Sequence, residues 1–458
     1  MHIFRYELPA PCSASSVSLA TYLAQHEERS REWVVEITCD SSLAYLTLAA
    51  YQLSLMSSTP RTIAIIGGGP AGLRAAEVAA SEGAFVTVFD AKPSVGRKFL
   101  VAGKSGLNIT NNAEFEPFVT QYSSSKDLPV AQWRKHIADF DNTAMGQWAM
   151  SLGINTFATG GGKVFPETKK AAPILRRWVQ RLREMGVDFQ MNNRWLDLRQ
   201  QGEQIELEME CKEGIFNQDF DAVILAMGGA SWPQTGSNGQ WVSILEKHAI
   251  GIETLKPSNC GWECDWTDET REKAEGCPLH NIHVRVADEL QVGELMITRY
   301  GLEGAPIYAL GRTLQTMDAP EIVIDFKPTF TIERLVQKME SARQNFYHEA
   351  QLRWKLSKGA CAIIQQLYGD MDSAQALAEV VKSCRIPLSG ARPIDEVIST
   401  SGGVAWDELD QHLMLKKLPN VYCAGEMIDW EAPTGGFLMQ GCFATGTAAG
   451  LAAAKIKS

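Results

Sequence analysis

The distribution of apolar and polar residues changes period several times along the chain, and each change predicts an element. Ile63, Ala64, Ile65 and Ile66 form an unbroken apolar run, the pattern of a parallel strand buried on both faces. Leu73, Ala76 and Ala80 follow at helical spacing and stop near Gly83, a residue suited to a helix C-cap. Phe85 to Phe89 is a second strand-like run and ends on Asp90. Residues 130–155 look helical. Ile174, Leu175, Trp178, Val179, Leu182 and Met185 predict another helix, closed by Gly186, with Arg176, Arg177, Arg181 and Arg183 on its solvated face. Ile205, Leu207 and Met209 alternate with Gln204, Glu206, Glu208 and Glu210, which predicts a half-exposed strand of a small antiparallel sheet.

Ala222 to Ala226 is a further buried strand and runs into Met227-Gly228-Gly229-Ala230-Ser231. From 256 to 330 the pattern shortens to strand-like pieces such as His283 to Val286 and Glu321 to Asp325. Thr331 to Ser383 then reads as two or three helices. Ser401-Gly402-Gly403-Val404 reads as a glycine pair before a turn. Val421 to Ala424 is a short strand, and Gly441 to Ala454 is a helix of small residues. These changes divide the chain into residues 1–58, 59–255, 256–385 (β-rich to 330, helical after it) and 386–458. The third is an insert in a domain made by the second and fourth.

The first strand leads directly into Gly67-Gly68-Gly69-Pro70-Ala71-Gly72, which fits G-x-G-x-x-G. Gly67 permits the tight turn, Gly69 lets the backbone approach a pyrophosphate, and Gly72 lets the helix pack close to the strand. Pro70 and Ala71 fall in the first helical turn, whose free N–H groups and dipole favour phosphate. Asp90 stands about 20 residues beyond the glycines, where an acid accepts the hydroxyls of an adenosine ribose. Strand, glycines, helix, second strand and acid in that order predict an ADP-ribose site. The loop that follows carries Ala91, Arg97, Lys98, Gly103 and Asn108. Its cations could neutralise a pyrophosphate and its amide could bond a polar cofactor, or the loop could simply be solvated. Gly228 and Gly229 could let the backbone press on a flat ligand, or could form a turn. Gly425, Glu426 and Asp429 follow the last strand. Gly435 and Gly436 open the small-residue helix, whose dipole would suit the anionic edge of a reduced flavin; that helix could equally be chosen for close packing.

The 458 residues carry a formal net charge of −11, which argues against nucleic acid or an anionic membrane as main partner. Ten scattered cysteines form no C-x-x-C pair, so a redox dithiol is not expected and a reducing cytoplasm is the expected setting. Cys260, Cys264, Cys277, His280 and His283 match no zinc spacing, and no metal is expected. No run of 18 apolar residues occurs. Residues 1–58 hold three arginines, no lysine and six acids, which fits neither a signal nor a transit peptide. Met56 resembles an initiator, with the upstream stretch either not native or loosely attached.

The Gly67 turn, GRKFLVAGKSGLNITNN (96–112), AMGGASWPQTGSNG (226–239), ITRYGLEGAP (297–306) and AGEMIDWEAPTGGFLMQGCFATG (424–446) resemble the bacterial BaiN/YhiN-like flavoproteins, which include enzymes described as aminoacetone oxidases. The resemblance implies an α/β fold, a doubly wound Rossmann-like domain of the two-dinucleotide-fold type, interrupted by the insert and binding FAD. It implies that Gly67, Gly69, Gly72 and Asp90 hold the ADP half, and that Arg97, Lys98, Gly103 and Asn108 run along pyrophosphate and flavin. Gly228 and Gly229 would lie near the adenosine side, Glu426 and Asp429 near the ribityl chain, and Gly435 and Gly436 under the isoalloxazine. Two departures stand out. Lys104-Ser105-Gly106-Leu107-Asn108 replaces a Gly-Gly-Arg-Cys-Asn run of many relatives, so a cysteine near the flavin is expected to be missing. Arg299 replaces a histidine before Tyr300-Gly301, and is a candidate cation for an anionic substrate or one half of a structural salt bridge.

Gly160 to Gly162, Gly228 to Gly229 and Gly402 to Gly403 lack a strand-glycine-helix context, so no second nucleotide domain is expected. Any NAD(P)H must dock directly against the isoalloxazine. The leading expectation is an FAD-dependent oxidoreductase acting on a small molecule by hydride transfer at flavin N5. It would reduce an activated C=C bond or oxidise an amine-type donor. An RNA-modifying or binding flavoprotein is the alternative. A plain NAD-dependent dehydrogenase is disfavoured because the C-terminal glycine segments would then have no role.

Overall fold

The computed structural model describes residues 60–103 and 106–455; the expected extension at 1–58, Lys104, Ser105 and the last three residues lie outside them. The centre is a parallel sheet of five strands: β1 (Thr62–Ile66), β2 (Phe85–Asp90), β3 (Asp188–Met191), β4 (Ala222–Leu225) and β5 (Val421–Cys423). Their order is β5-β4-β1-β2-β3, with Ile65 paired to both Val88 and Ile224. Ile63, Ala64 and Ile65 are fully buried because both sheet faces are covered, which is why the run is uninterrupted.

On one face lie helix α1 (Pro70–Ser81) and the C-terminal helix α2 (Phe437–Ala454). A Cβ on Gly446 would stand 2.4 Å from the Ala71 carbonyl oxygen, and one on Gly450 would stand 2.7 Å from that of Ala75. The small residues of α2 therefore allow two helix backbones to touch. This helix begins at Phe437, not at Gly441, with Gly436 as its N-cap at φ 103°. Among the described residues it is long and apolar enough to cross a membrane, and 61% of that window is buried inside the fold.

The polar side of α1 is also enclosed. Glu77 is 6% exposed and accepts hydrogen bonds from the indoles of Trp148 (2.9 Å) and Trp178 (3.1 Å). Arg181 donates to it at 2.9 Å and Arg74 at 3.1 Å.

Between β2 and β3 the chain adds helices and the small antiparallel sheet of Thr110–Asn111, Lys163–Pro166 and Thr156–Ala158. Between β3 and β4 it adds a three-stranded meander, where Gln204–Cys211 shows the expected alternation of burial. Between β4 and β5, residues 260–397 surround a hydrophobic cluster of their own on a seven-stranded sheet. The stretch after Thr331 forms four short helices, where two or three were expected: Ile332–Lys338, Phe346–Arg353, Lys358–Tyr368 and Ala374–Lys382. Short loops with Asn345 at φ 54° and Gly369 at φ 73° break what sequence periodicity joins.

Gly402 and Gly403 do not precede a turn. They lie inside the strand Ser399–Val404, which pairs with Ile252–Ser258. Side chains there would meet the carbonyl oxygens of Thr254 at 2.3 Å and Met427 at 2.4 Å. The strand is squeezed between two backbones, and only glycine fits.

Candidate cofactor and substrate site

A cavity opens at the C-terminal ends of β1, β2 and β4. Gly67 turns the chain at φ 108°, its N–H donating to the Phe89 carbonyl at 2.8 Å. A Cβ on Gly72 would overlap the Gly67 carbonyl oxygen at 2.0 Å, so this glycine serves the packing of α1 on β1. Gly69 differs in kind. A Cβ there would meet no protein atom within 4 Å and would project into the cavity, which is the cradle a pyrophosphate needs. Pro70 and Ala71 line the same space.

Asp90 closes the end of β2. Its Oδ2 accepts from Gly68 N–H at 2.9 Å and its Oδ1 from Lys92 N–H at 2.8 Å, while burial pushes its carboxyl above the usual range. Ala91, Arg97, Lys98 and Gly228 line the cavity beside it. Lys98 donates to Ser231 Oγ at 2.7 Å and to Glu426 Oε2 at 2.8 Å, and Thr400 N–H donates to the other Glu426 oxygen at 2.8 Å. Gly425 sits at φ 79°, where a side chain would meet Ala71 Cβ at 2.7 Å. Arg97, which lines this cavity, has its buried Nε without a partner among the described residues; the buried amide atoms of Asn108 are also unpartnered, but Asn108 lines neither this cavity nor the cleft at the start of α2. Unsatisfied buried donors and acceptors ask for a ligand. The donor set and the glycine cradle fit the adenosine and pyrophosphate of FAD.

A second cleft lies between the start of α2 and the helix Ala305–Leu314. Asn111, Gly435, Thr434 and Asn259 line one side, Tyr308 and Arg312 the other, with Glu431 between. Asn111 Nδ2 donates to the Gly435 carbonyl at 3.3 Å, which ties the glycine turn to the small sheet. Ser258 Oγ donates to Glu431 at 2.9 Å.

The remaining expected residues stand elsewhere. Asp429 lines neither cavity; it is buried and its carboxylate accepts from Ser125 N–H at 3.0 Å and 3.2 Å. Gly229 packs on Thr400, Gly103 on Ala171, and Gly436 on the Thr110 backbone, each at a distance that excludes a side chain. Arg299 is exposed, lines none of these spaces and makes no salt bridge among the described residues.

Cys442 of α2 lines the first cavity, and burial pushes its thiol up to about 12. Ser231 and Thr400 were missed, since a hydroxyl carries no signal until the fold sets it beside Lys98 and Glu426.

Residues 61–452 match the family model described as the HI0933-like protein Rossmann domain. The chain is 25% identical over 424 residues to the 3-dehydro-bile acid delta(4,6)-reductase of Clostridium scindens, covering 86% of this chain and 99% of that one. It is 22% identical to the ribosomal RNA dihydrouridine synthase of Escherichia coli, covering 82% and 94%. Among solved structures, the 3-ketosteroid-Δ4-(5α)-dehydrogenase of Rhodococcus jostii aligns with a TM-score of 0.49 at 13% identity, over 88% of this chain and 99% of that one.

Proposed function

The chain belongs to the HI0933-like family of Rossmann-domain proteins, and on that premise we propose that this FAD-dependent oxidoreductase reduces a C=C bond conjugated to a carbonyl. The observation that carries the reading is the pairing of two spaces: a glycine-cradled cavity for the nucleotide and a polar cleft that meets the Gly435 turn.

In this reading Gly67, Gly69, Pro70, Ala71, Asp90 and Ala91 hold the ADP half, with Gly72 setting the helix in place. Arg97 and Lys98 face the pyrophosphate, Asn108 and Glu426 the ribityl and flavin polar edge, and Gly425 and Gly435 the ring. When bound, FAD supplies hydride transfer at its N5 atom. The protein positions a substrate in the cleft and keeps its polar groups paired. NAD(P)H is the proposed donor and docks at the flavin itself. The names of the two relatives, a reductase and a synthase of a dihydro product, favour reduction over amine oxidation. The cleft is lined mainly by amides, hydroxyls and charges, which suits a polar substrate. Every cysteine described is unbridged, which suits a reducing cytoplasm.

Two relatives are named ribosomal RNA dihydrouridine synthase, so RNA is the second reading of the substrate. The net charge of −11 weighs against it.

The test is the anaerobic visible spectrum of purified protein before and after NADPH. A flavin spectrum that bleaches, then returns on adding a conjugated enone, is the expected result. A yellow protein that ignores NADPH and is bleached by an amine would overturn the reductase reading. RNA that co-purifies and reoxidises the reduced protein would select the second reading.

A further inference from the structure

The cleft contains one acid whose place the proposed reduction does not yet use. Tyr308 lies in the first half of the helix Ala305–Leu314, and Arg312 follows four residues later on the same face. Both side chains line the cleft opposite Gly435. Arg312 is held: it donates to the Ser124 carbonyl at 3.1 Å and stands 3.9 Å from Glu431. The Tyr308 hydroxyl donates to no described side chain or carbonyl, and the backbone N–H of Gly304 stands beside its oxygen. Two other proton carriers line this space without such partners, Lys163 and Cys260. Lys163 is exposed on a hairpin, and the buried Cys260 is pushed up to about 11.

We propose that Tyr308 is the catalytic acid of the cleft, donating its hydroxyl proton to the carbonyl oxygen of the bound enone. The proposal rests on the reductase reading above. Bound reduced FAD would supply the hydride for a C–H bond at the β carbon, the C=C electron pair shifting so that charge would collect on the carbonyl oxygen. The Tyr308 O–H bond breaks as an O–H bond forms there, giving an enol. The enol tautomerises to the saturated carbonyl, and the Tyr308 oxygen regains a proton from water. Substrate gains a hydride, which carries both electrons, and a proton from Tyr308 that water replaces. Burial pushes the phenol up to about 12, with Glu303 adding to the rise and the Gly304 N–H opposing it, so the oxygen carries its proton at neutral pH. Arg312 adds a positive charge on the same helix face, where negative charge develops.

The experiment uses holoenzyme reduced with dithionite, cyclohex-2-en-1-one as probe, and Tyr308→Phe, which removes one oxygen from a half-buried ring. Flavin reoxidation by the probe is expected to slow by 100-fold or more, in the range of general acid catalysis. The infrared carbonyl band of the probe bound to oxidised wild-type protein is expected to lie lower than in the variant, since only wild type donates to it. FAD content should be equal. Equal reoxidation by both proteins overturns the role of Tyr308 and leaves the reductase reading standing. Slower reoxidation with an unmoved carbonyl band also overturns it, because the defect is then structural. Failure of wild-type reduced enzyme to react with the probe overturns the reductase reading, and the role with it.

Discussion

Lys98 and Glu426 lie 328 residues apart in sequence and 2.8 Å apart in space. One follows the second strand of the sheet and the other follows the last, so their ion pair closes the nucleotide cavity from both ends of the chain. The side chains are 24% and 13% exposed, enough shielding for the pair to matter. Replacing Lys98 with Met leaves the Glu426 carboxylate enclosed with the Thr400 amide. The expected cost is about 2 kcal/mol of stability together with weaker FAD retention. Thermal melts of FAD-stripped protein and flavin content after dialysis read the two effects separately. An unchanged melt with full flavin content would count against the pair.

The second and third glycines of the nucleotide fingerprint separate folding from binding. Gly72→Ala sets a methyl 2.0 Å from the Gly67 carbonyl oxygen, so it is expected to destabilise the FAD-free protein by about 3 kcal/mol. Gly69→Ala meets no protein atom within 4 Å and should melt like wild type, yet fail to retain FAD. Equal melting of the two variants would remove the distinction.

Glu77 is the buried polar centre behind that helix. Converting it to Leu leaves the Trp148 and Trp178 indoles and the Arg181 guanidinium without their acceptor. The expected loss is about 3–5 kcal/mol, as for breaking a buried pair on one side. Urea unfolding followed by tryptophan fluorescence measures it, and a loss below about 1 kcal/mol would show that the arginines are satisfied by water instead.

These residues also show what sequence conveys. The strand, glycine turn, helix and Asp90 are contiguous, so local spacing contains their geometry, and the expected elements reappear from Thr62 to Asp90. The glycine strand at Gly402 and Gly403 was misread because its reason is two backbones that arrive from Thr254 and Met427. Glu77 reads as a solvated helix acid until Trp148, Trp178 and Arg181 are brought over it. Asp429 sits near the right strand yet serves Ser125, because a side chain's direction after a short turn is set by packing. Tyr308 carries no motif at all; only the cleft marks it.

His136 provides the pH test. It is 2% exposed, and burial lowers its pKa from 6.5 to about 4. The folded protein therefore holds fewer protons at this site than the unfolded chain between those two values. Its contribution to stability is complete above about pH 6.5 and is lost as pH falls toward 4, by up to about 3 kcal/mol. His136→Gln keeps a polar side chain beside Gln132 and removes the titration. Urea midpoints at pH 7, 5.5 and 4.5 should fall less steeply in the variant than in wild type, so that the difference between the two proteins narrows with acid. Parallel falls would mean that folding leaves the His136 pKa unshifted and that the acid sensitivity resides in other groups.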